Sequence, residues 1–323
     1  MKFLTFARDG ADVAGALSAD GRRYIDLAAA ARGRGGAAFA SVLALIEAGE
    51  PALELAGVIV AEAERSGRYL VDPARVVLRA PIPVPPQIRD AISFPIHIRQ
   101  APVGMRKLAA RIAGQLSPEI EPAADIPPVY RERPVYYLTN RFSVIGPDET
   151  VLWPRYSRFM DFELEVAVVL SKGGKDIPVE RAAEHIFGYT IYNDFSARDA
   201  QLAEMAGMLG PAKGKSFDMG NAMGPYLVTR DEVGDVRTLR ASARVNGQSW
   251  VSDDFGAMLH SFEQMIAYIS RDETLYAGEI IGSGTVSNGC GLEQDRYLED
   301  GDLVELEVDR LGTLRNRVVR QPA

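Results

Sequence analysis

The chain has 323 residues, 47% hydrophobic and 25% charged, which is a globular composition with enough chain for one large core and a smaller satellite domain. Its formal net charge of -8, with no Lys/Arg cluster, excludes a phosphate-binding stripe, so no nucleic-acid partner is expected. No apolar run approaches the roughly 18–20 residues a membrane helix needs, and the single cysteine, Cys290, excludes an internal disulfide framework and a thiolate zinc site. Asp9-Gly10 interrupts the N-terminal segment before a signal-peptide core forms, and a cytoplasmic location with no membrane partner is expected.

In chain order, residues 2–7, 13–17 and 23–27 read as short strands, with Asp20-Gly21 as a turn signal. Residues 38–48 and 52–66 carry helical apolar spacing punctuated by Gly49 and Pro51, and 76–78 reads as a strand. The run Pro81-Ile82-Pro83-Val84-Pro85-Pro86 continues neither a helix nor a central strand. A domain boundary is placed there, giving a small α+β domain over 1–80 and a second domain over 81–323. In the second, strands are predicted at 134–137, 162–170, 188–192, 225–229, 239–245, 280–285 and 303–308. Helices are predicted at 105–115, 179–186, 197–208 and 262–270, and 118–128 reads as a Pro-rich, acidic surface loop or lid. Strands outnumber helices without a βαβ rhythm, which predicts a mixed, β-rich α/β fold rather than a doubly wound sheet.

The stretch Asp161-Phe162-Glu163-Leu164-Glu165-Val166-Ala167-Val168-Val169-Leu170 has the composition of a buried strand. Side chains alternate along a strand, so Glu163 and Glu165 share a face with Ala167 and Val169. Burying one unpaired carboxylate costs several kcal/mol, and two like charges repel in addition. A bound divalent cation removes both penalties. The alternative is a strand with one wet face, whose glutamates meet water.

A second stretch, Tyr189-Thr190-Ile191-Tyr192-Asn193-Asp194-Phe195-Ser196-Ala197-Arg198-Asp199-Ala200-Gln201, puts Asp194 at the mouth of a strand-to-helix turn. Ser196 with Asp199 predicts an N-cap pairing, and Arg198 and Gln201 fall on one helical face; the plainer alternative is a capped surface helix with a solvated arginine. Of the three histidines, His185 and His260 sit in structural-looking patterns, while His97 follows Asp90 by seven residues in Arg89-Asp90-Ala91-Ile92-Ser93-Phe94-Pro95-Ile96-His97. On spacing alone, a satisfied core histidine is favoured over a catalytic one for His97.

Together these stretches resemble the fumarylacetoacetate hydrolase family, over about residues 89–319. Further matching pieces are Gly214-Lys215-Ser216-Phe217-Asp218, Gly224-Pro225, Ala277-Gly278-Glu279-Ile280-Ile281-Gly282-Ser283-Gly284-Thr285, 298–302 and Leu311-Gly312-Thr313-Leu314-Arg315-Asn316. The resemblance implies a rolled mixed β-sandwich and a homodimer. It implies a divalent cation, Mg²⁺ or Mn²⁺ with Ca²⁺ as a third candidate, held by Asp90, Glu163, Glu165 and Asp194. It implies His97 as a catalytic base oriented by Glu299. Arg198, Gln201, Lys215 and Thr285 would hold substrate oxygens. The spacing of Asp90 and His97 places the chain nearer the fumarylacetoacetase-like members than the shorter members with a His-x-x-Glu dyad. Ile92 and Met205 stand where fumarylacetoacetase has tyrosines, and Arg106-Lys107 stands near where another aromatic contact belongs, so a substrate other than fumarylacetoacetate is expected. The implied activity is metal-dependent hydrolytic carbon–carbon cleavage of a small 1,3-dicarbonyl or 2-oxo acid, as in aromatic catabolism. Decarboxylation, isomerisation, hydration or dehydration of a 2-oxo acid is the enzymatic alternative, and a non-catalytic binding protein is the other.

Overall fold

A computed structural model describes residues 1–321. A twelve-stranded sheet forms the scaffold. Its central path runs from Leu70–Val71 through Tyr24–Asp26, Ala11–Leu17, Lys2–Arg8, Asn221–Thr229, Ile186–Asp194, Leu164–Leu170 and Ile280–Gly282 to Ile88–Ile92 and Val135–Leu138. A second, five-stranded sheet runs Gln248–Asp254, Arg240–Val245, Leu303–Val308, Gly312–Arg320, Val151–Trp153. Most pairings are antiparallel, but Ile280–Gly282 runs parallel to Ile88–Ile92, and Gly312–Arg320 parallel to Val151–Trp153. The fold is therefore mixed α/β and rich in sheet, as the sequence predicts.

The strand Leu164–Leu170 is buried throughout because both of its faces are covered. Leu164, Val166, Val168 and Leu170 pack into the core against Ala243, Leu306 and the helix Phe262–Ile269. Ala167 and Val169 face the other way, into a core shared with Leu45, Ile46 and Ile59 of the N-terminal helices. That N-terminal segment also joins the main sheet directly, since Lys2 pairs with Val228 and Phe3 with Leu227.

Several boundaries differ from the prediction. The helix predicted at 105–115 runs over Pro95–Ile112. Pro95 occupies its first turn, where a missing N–H costs nothing, and Pro102 is tolerated inside it. His97 thereby becomes a first-turn helical residue. Ser196 does not cap the next helix: its hydroxyl donates to the Asp194 carbonyl, and Ala197 is the N-cap of Arg198–Met205, without a side-chain cap. The strand predicted at 280–285 leaves the ladder after Gly282, where Gly284 turns at φ 79°. Among the described residues no helix is long and apolar enough to cross a membrane.

Candidate metal centre and active site

The strands Ile88–Ile92 and Leu164–Leu170, the residue just before Leu164 and the end of the strand Ile186–Asp194 bring the four predicted carboxylates together. Asp90 sits on Ile88–Ile92 opposite Gly282 on one side and Tyr137 on the other. Glu165 faces Tyr192, and Asp194 ends the strand Ile186–Asp194. Glu163 precedes Leu164–Leu170 in an isolated bridge to Cys290, with its N–H donated to Asn193 Oδ1 at 3.0 Å. All four are buried, and one oxygen from each lies within 4.8 Å of the others.

The partners of these oxygens show what the cluster lacks. Among the described residues, Asp90 Oδ1, Glu165 Oε1 and Asp194 Oδ1 have no hydrogen-bond donor. Glu163 is different: Oε1 is 2.7 Å from Arg198 Nη1 and Oε2 accepts from Lys215 Nζ at 2.5 Å. Five buried carboxylates, Asp161 included, face only two buried cationic side chains, Arg198 and Lys215. A buried orphan carboxylate oxygen is costly, and a hard cation with oxygen preference would take all three while cancelling most of the excess charge. The residues present fit a divalent cation, with Asp90, Glu165 and Asp194 supplying the free oxygens.

The electrostatics follow the same division. Burial first, then the charge of Asp194, pushes the Asp90 carboxyl well up, and burial with Asp90 beside it does the same to Glu165. For Glu163, burial opposes ionisation, but Lys215 and Arg198 outweigh it and hold the carboxyl below its ordinary range. Burial pushes Asp194 up against the opposing pull of Lys215.

Gly282 shows how closely this shell is fitted. A Cβ there would press into Asp90 Oδ1 and lie 2.9 Å from Glu165 Oε2. Two residues on, the Gly284 N–H donates to Glu165 Oε2 at 3.0 Å and fixes that carboxylate. Gly282→Ala is expected to leave the fold in place and weaken Mg²⁺ or Mn²⁺ binding at least tenfold, measured by calorimetric titration of the metal-stripped variant; native affinity would show that these oxygens do not form the cation site.

Lys215 ends the short helix Ala212–Lys215 and lines the cavity, with Nζ also donating to Asp194 Oδ2 at 2.6 Å. Arg198 corrects the sequence expectation. Its guanidinium does not line the cavity: Nε donates to Asp161 Oδ2 at 2.8 Å and Nη1 to Gln201 Oε1 at 2.9 Å, besides the contact with Glu163. Arg198 therefore holds Glu163 and Gln201 in place. Gln201 does line the cavity, with its carbonyl occupied and its –NH₂ left as a donor.

Tyr137 is a site residue that the sequence did not reveal. Its hydroxyl donates to Asp194 Oδ2 at 2.6 Å, placed there by the register that sets Tyr137 opposite Asp90. Arg106 and Lys107, which stand near where the family has another aromatic contact, lie on the helix Pro95–Ile112 and do not border the cavity.

His97 Nδ1 lies 3.5 Å from Glu293 Oε1, and the Glu293 side chain is fully enclosed. The carboxylate accepts from the Asn288 N–H at 3.2 Å and from the Cys290 N–H and thiol at 3.3 Å each. Glu299, the predicted orienting residue, is exposed, its N–H donating to Asp302 Oδ2 at 2.8 Å. The chain folds back on itself after Gly291, with the Arg296 N–H donating to the Gly291 carbonyl, so the glutamate that reaches His97 comes six residues earlier than Glu299. His260 and His185 are structural: His260 Nε2 is 2.7 Å from the Tyr130 carbonyl, and His185 Nδ1 is 3.2 Å from that of Lys172.

A cavity of about 270 Å³ joins these groups. Asp90, Glu163, Glu165, His97, Lys215 and Thr285 border it, together with Ile92 and Met205. Carboxylates for a hard cation, a histidine backed by a carboxylate, and an amide and an ammonium donor thus share one concave space.

Residues 109–319 match the family model described as Fumarylacetoacetate (FAA) hydrolase C-terminal. Oxaloacetate tautomerase YisK of Bacillus subtilis is 32% identical over 254 residues, covering 78% of this chain and 76% of that protein. The mitochondrial oxaloacetate tautomerase FAHD2A of Bos taurus is 36% identical over 193 residues, covering 59% of this chain and 60% of that protein. The chain thus spans about 60% of the length of the first curated relatives it matches. The structure of a fumarylacetoacetate hydrolase from Exiguobacterium antarcticum superposes with a TM-score of 0.71 at 26% identity, covering 99% of this chain and 100% of that one. The chain belongs to the fumarylacetoacetate hydrolase family.

Proposed function

We propose that this chain is a divalent-cation-dependent enzyme acting on a small 2-oxo acid that carries a second carbonyl, and that it cleaves a carbon–carbon bond of that acid by hydrolysis. The observation that carries this reading is one cavity bordered by Asp90 and Glu165, each with an orphaned carboxylate oxygen, and by His97, with the enclosed Glu293 behind its ring. Asp90, Glu165 and Asp194 would hold Mg²⁺ or Mn²⁺, with Glu163 set between Lys215 and Arg198 beside them. When bound, the cation supplies Lewis-acid polarisation of the substrate's carbonyl oxygens.

The residues supply the rest. Glu293 beside Nδ1 favours the tautomer with its proton on that nitrogen, leaving Nε2 to accept one. His97 takes a proton from water as the hydroxyl adds to the distal carbonyl carbon. The carbon–carbon bond breaks with its electron pair leaving as the enolate, to which His97 returns the proton. Lys215 and the Gln201 –NH₂ face the oxygens on which charge develops, and Thr285 offers a further hydroxyl. A homodimer, a cytoplasmic location and a division of the chain at residue 80 belong to the same reading and rest on the sequence.

A second reading is keto–enol tautomerisation of oxaloacetate, favoured by the names of the two curated relatives. There His97 would take its proton from the carbon between the carbonyls, and no bond between carbons would break. One experiment separates the two. Metal-stripped protein is given Mg²⁺ or Mn²⁺, then acetylpyruvate or oxaloacetate, and products are followed by NMR. Saturating cation is expected to raise Tm by on the order of 5 °C and to restore release of pyruvate and acetate. Interconversion of oxaloacetate without cleavage of either acid would move the assignment to the tautomerase. An unchanged Tm would sink the cation site.

A further inference from the structure

The same cavity changes character along its length, and the change names the part of the substrate that lies beyond its two carbonyls. Asp90 and Ile92 are two residues apart on one strand, so their side chains share a face about 7 Å apart. On the neighbouring strand Tyr137 stands opposite Asp90 and Val135 opposite Ile92. The pair of strands thus passes from a carboxylate with a hydroxyl to two aliphatic side chains in one step of the ladder. The facing helix Arg198–Met205 repeats the change, because Met205 lies one turn beyond Gln201 and both line the cavity. Pro211 adds to the apolar part, and Tyr130 and Tyr136 also lie on the lining.

The positive groups are all at the other end. Lys215 is the only lysine or arginine among the lining residues, and its ammonium is already donated to Glu163 and Asp194. A carboxylate at the distal end of a substrate would meet Ile92, Val135 and Met205 without a cationic partner, and burying an unpaired charge there is strongly unfavourable. An alkyl or aryl group would instead gain about three- to fourfold in affinity for each methylene it buries. The cavity, of about 270 Å³, has room for a 2-oxo acid with a short tail.

We infer that this enzyme selects 2-oxo acids with an uncharged, apolar distal group, and discriminates against those that end in a second carboxylate. This rests on the 2-oxo acid reading of the site, and it departs from the dicarboxylic substrate that names the curated relatives. Ile92, Val135 and Met205 are the specificity-determining residues.

The test reads binding rather than turnover. Mg²⁺-loaded protein is titrated calorimetrically with 2-oxohexanoate and with 2-oxoadipate, six-carbon acids that differ in ending in a methyl or a carboxylate. The native protein is expected to bind 2-oxohexanoate at least tenfold more tightly. Met205→Arg, at a half-exposed helical position that tolerates a long side chain, is expected to reverse the preference by supplying the missing cation. Equal or tighter binding of 2-oxoadipate by the native protein would overturn the apolar-tail assignment alone. Binding of neither acid would overturn the 2-oxo acid reading, and the tail preference with it.

Discussion

His97→Ala is expected to lower kcat by ~10²- to 10⁴-fold, the loss typical of removing a positioned base, while leaving the fold and the affinity for Mg²⁺ or Mn²⁺ close to native. The expectation rests on where the ring stands. It borders the cavity from the first turn of Pro95–Ile112 and donates no hydrogen bond to the four carboxylates of the cation site, so its removal spares that cluster. Glu293→Gln keeps the shape of the supporting side chain but removes the negative charge beside Nδ1, and it is expected to slow turnover by less than the histidine substitution does. Glu299→Gln changes an exposed surface group and is expected to have no effect. Steady-state kinetics on the three variants, with cation affinity measured in parallel, gives the check. A His97→Ala protein that kept more than about a tenth of native turnover would end its assignment as base. Slowing by Glu299→Gln without slowing by Glu293→Gln would contradict the pairing seen in the structure.

Where the sequence was legible, a local rule applied. Glu165 shares a face with Ala167 and Val169 because the seven residues Leu164–Leu170 form one uninterrupted strand, and period two holds along it. The same rule fails at Asp161. The chain there pairs first with Ser196–Ala197 and then, from Leu164, with Ile186–Asp194. Across the break between these ladders Asp161 and Glu163 no longer stand in one regular strand, and both bind Arg198. Tyr137 and Glu293 were illegible for a related reason. Each reaches the site through a register or a fold-back between distant segments, and hydrophobic periodicity reports a face, never a partner. The strand Gly312–Arg320 hid for a chemical reason: Asn316 occupies one of its buried positions and breaks the apolar alternation, its amide donating to the carbonyls of Gly146 and Glu149 at 2.9 Å each. Asp90 and His97 became candidates through the family resemblance, since spacing alone favoured a core role for His97; the strand Ile88–Ile92 and the helix that begins at Pro95 bring them to one cavity.

Asp161→Asn is expected to cost about 3–5 kcal/mol of stability, the range for breaking one side of a buried ion pair, and to reduce turnover although Asp161 does not line the cavity. The carboxylate is fully buried, and every partner around it is a donor. Arg198 Nε donates to Oδ2 at 2.8 Å, the Leu292 N–H donates to the same oxygen at 2.8 Å, and the Gly291 N–H donates to Oδ1 at 2.8 Å. An asparagine must turn its –NH₂ toward one of these sets, which loses hydrogen bonds and sets donor against donor. Two parts of the site depend on this one side chain. Arg198 is held for its contacts with Glu163 and Gln201, and the turn at Gly291-Leu292 is held immediately before Glu293. Urea unfolding would give the stability loss, and a double-mutant cycle with Arg198→Met would separate the ion pair from the backbone contacts. If the coupling is confined to Arg198, Asp161→Asn in the Arg198→Met background should cost little. If the turn matters independently, a residual loss of turnover should persist there. A single variant with native stability and native turnover would show that Asp161 couples neither part.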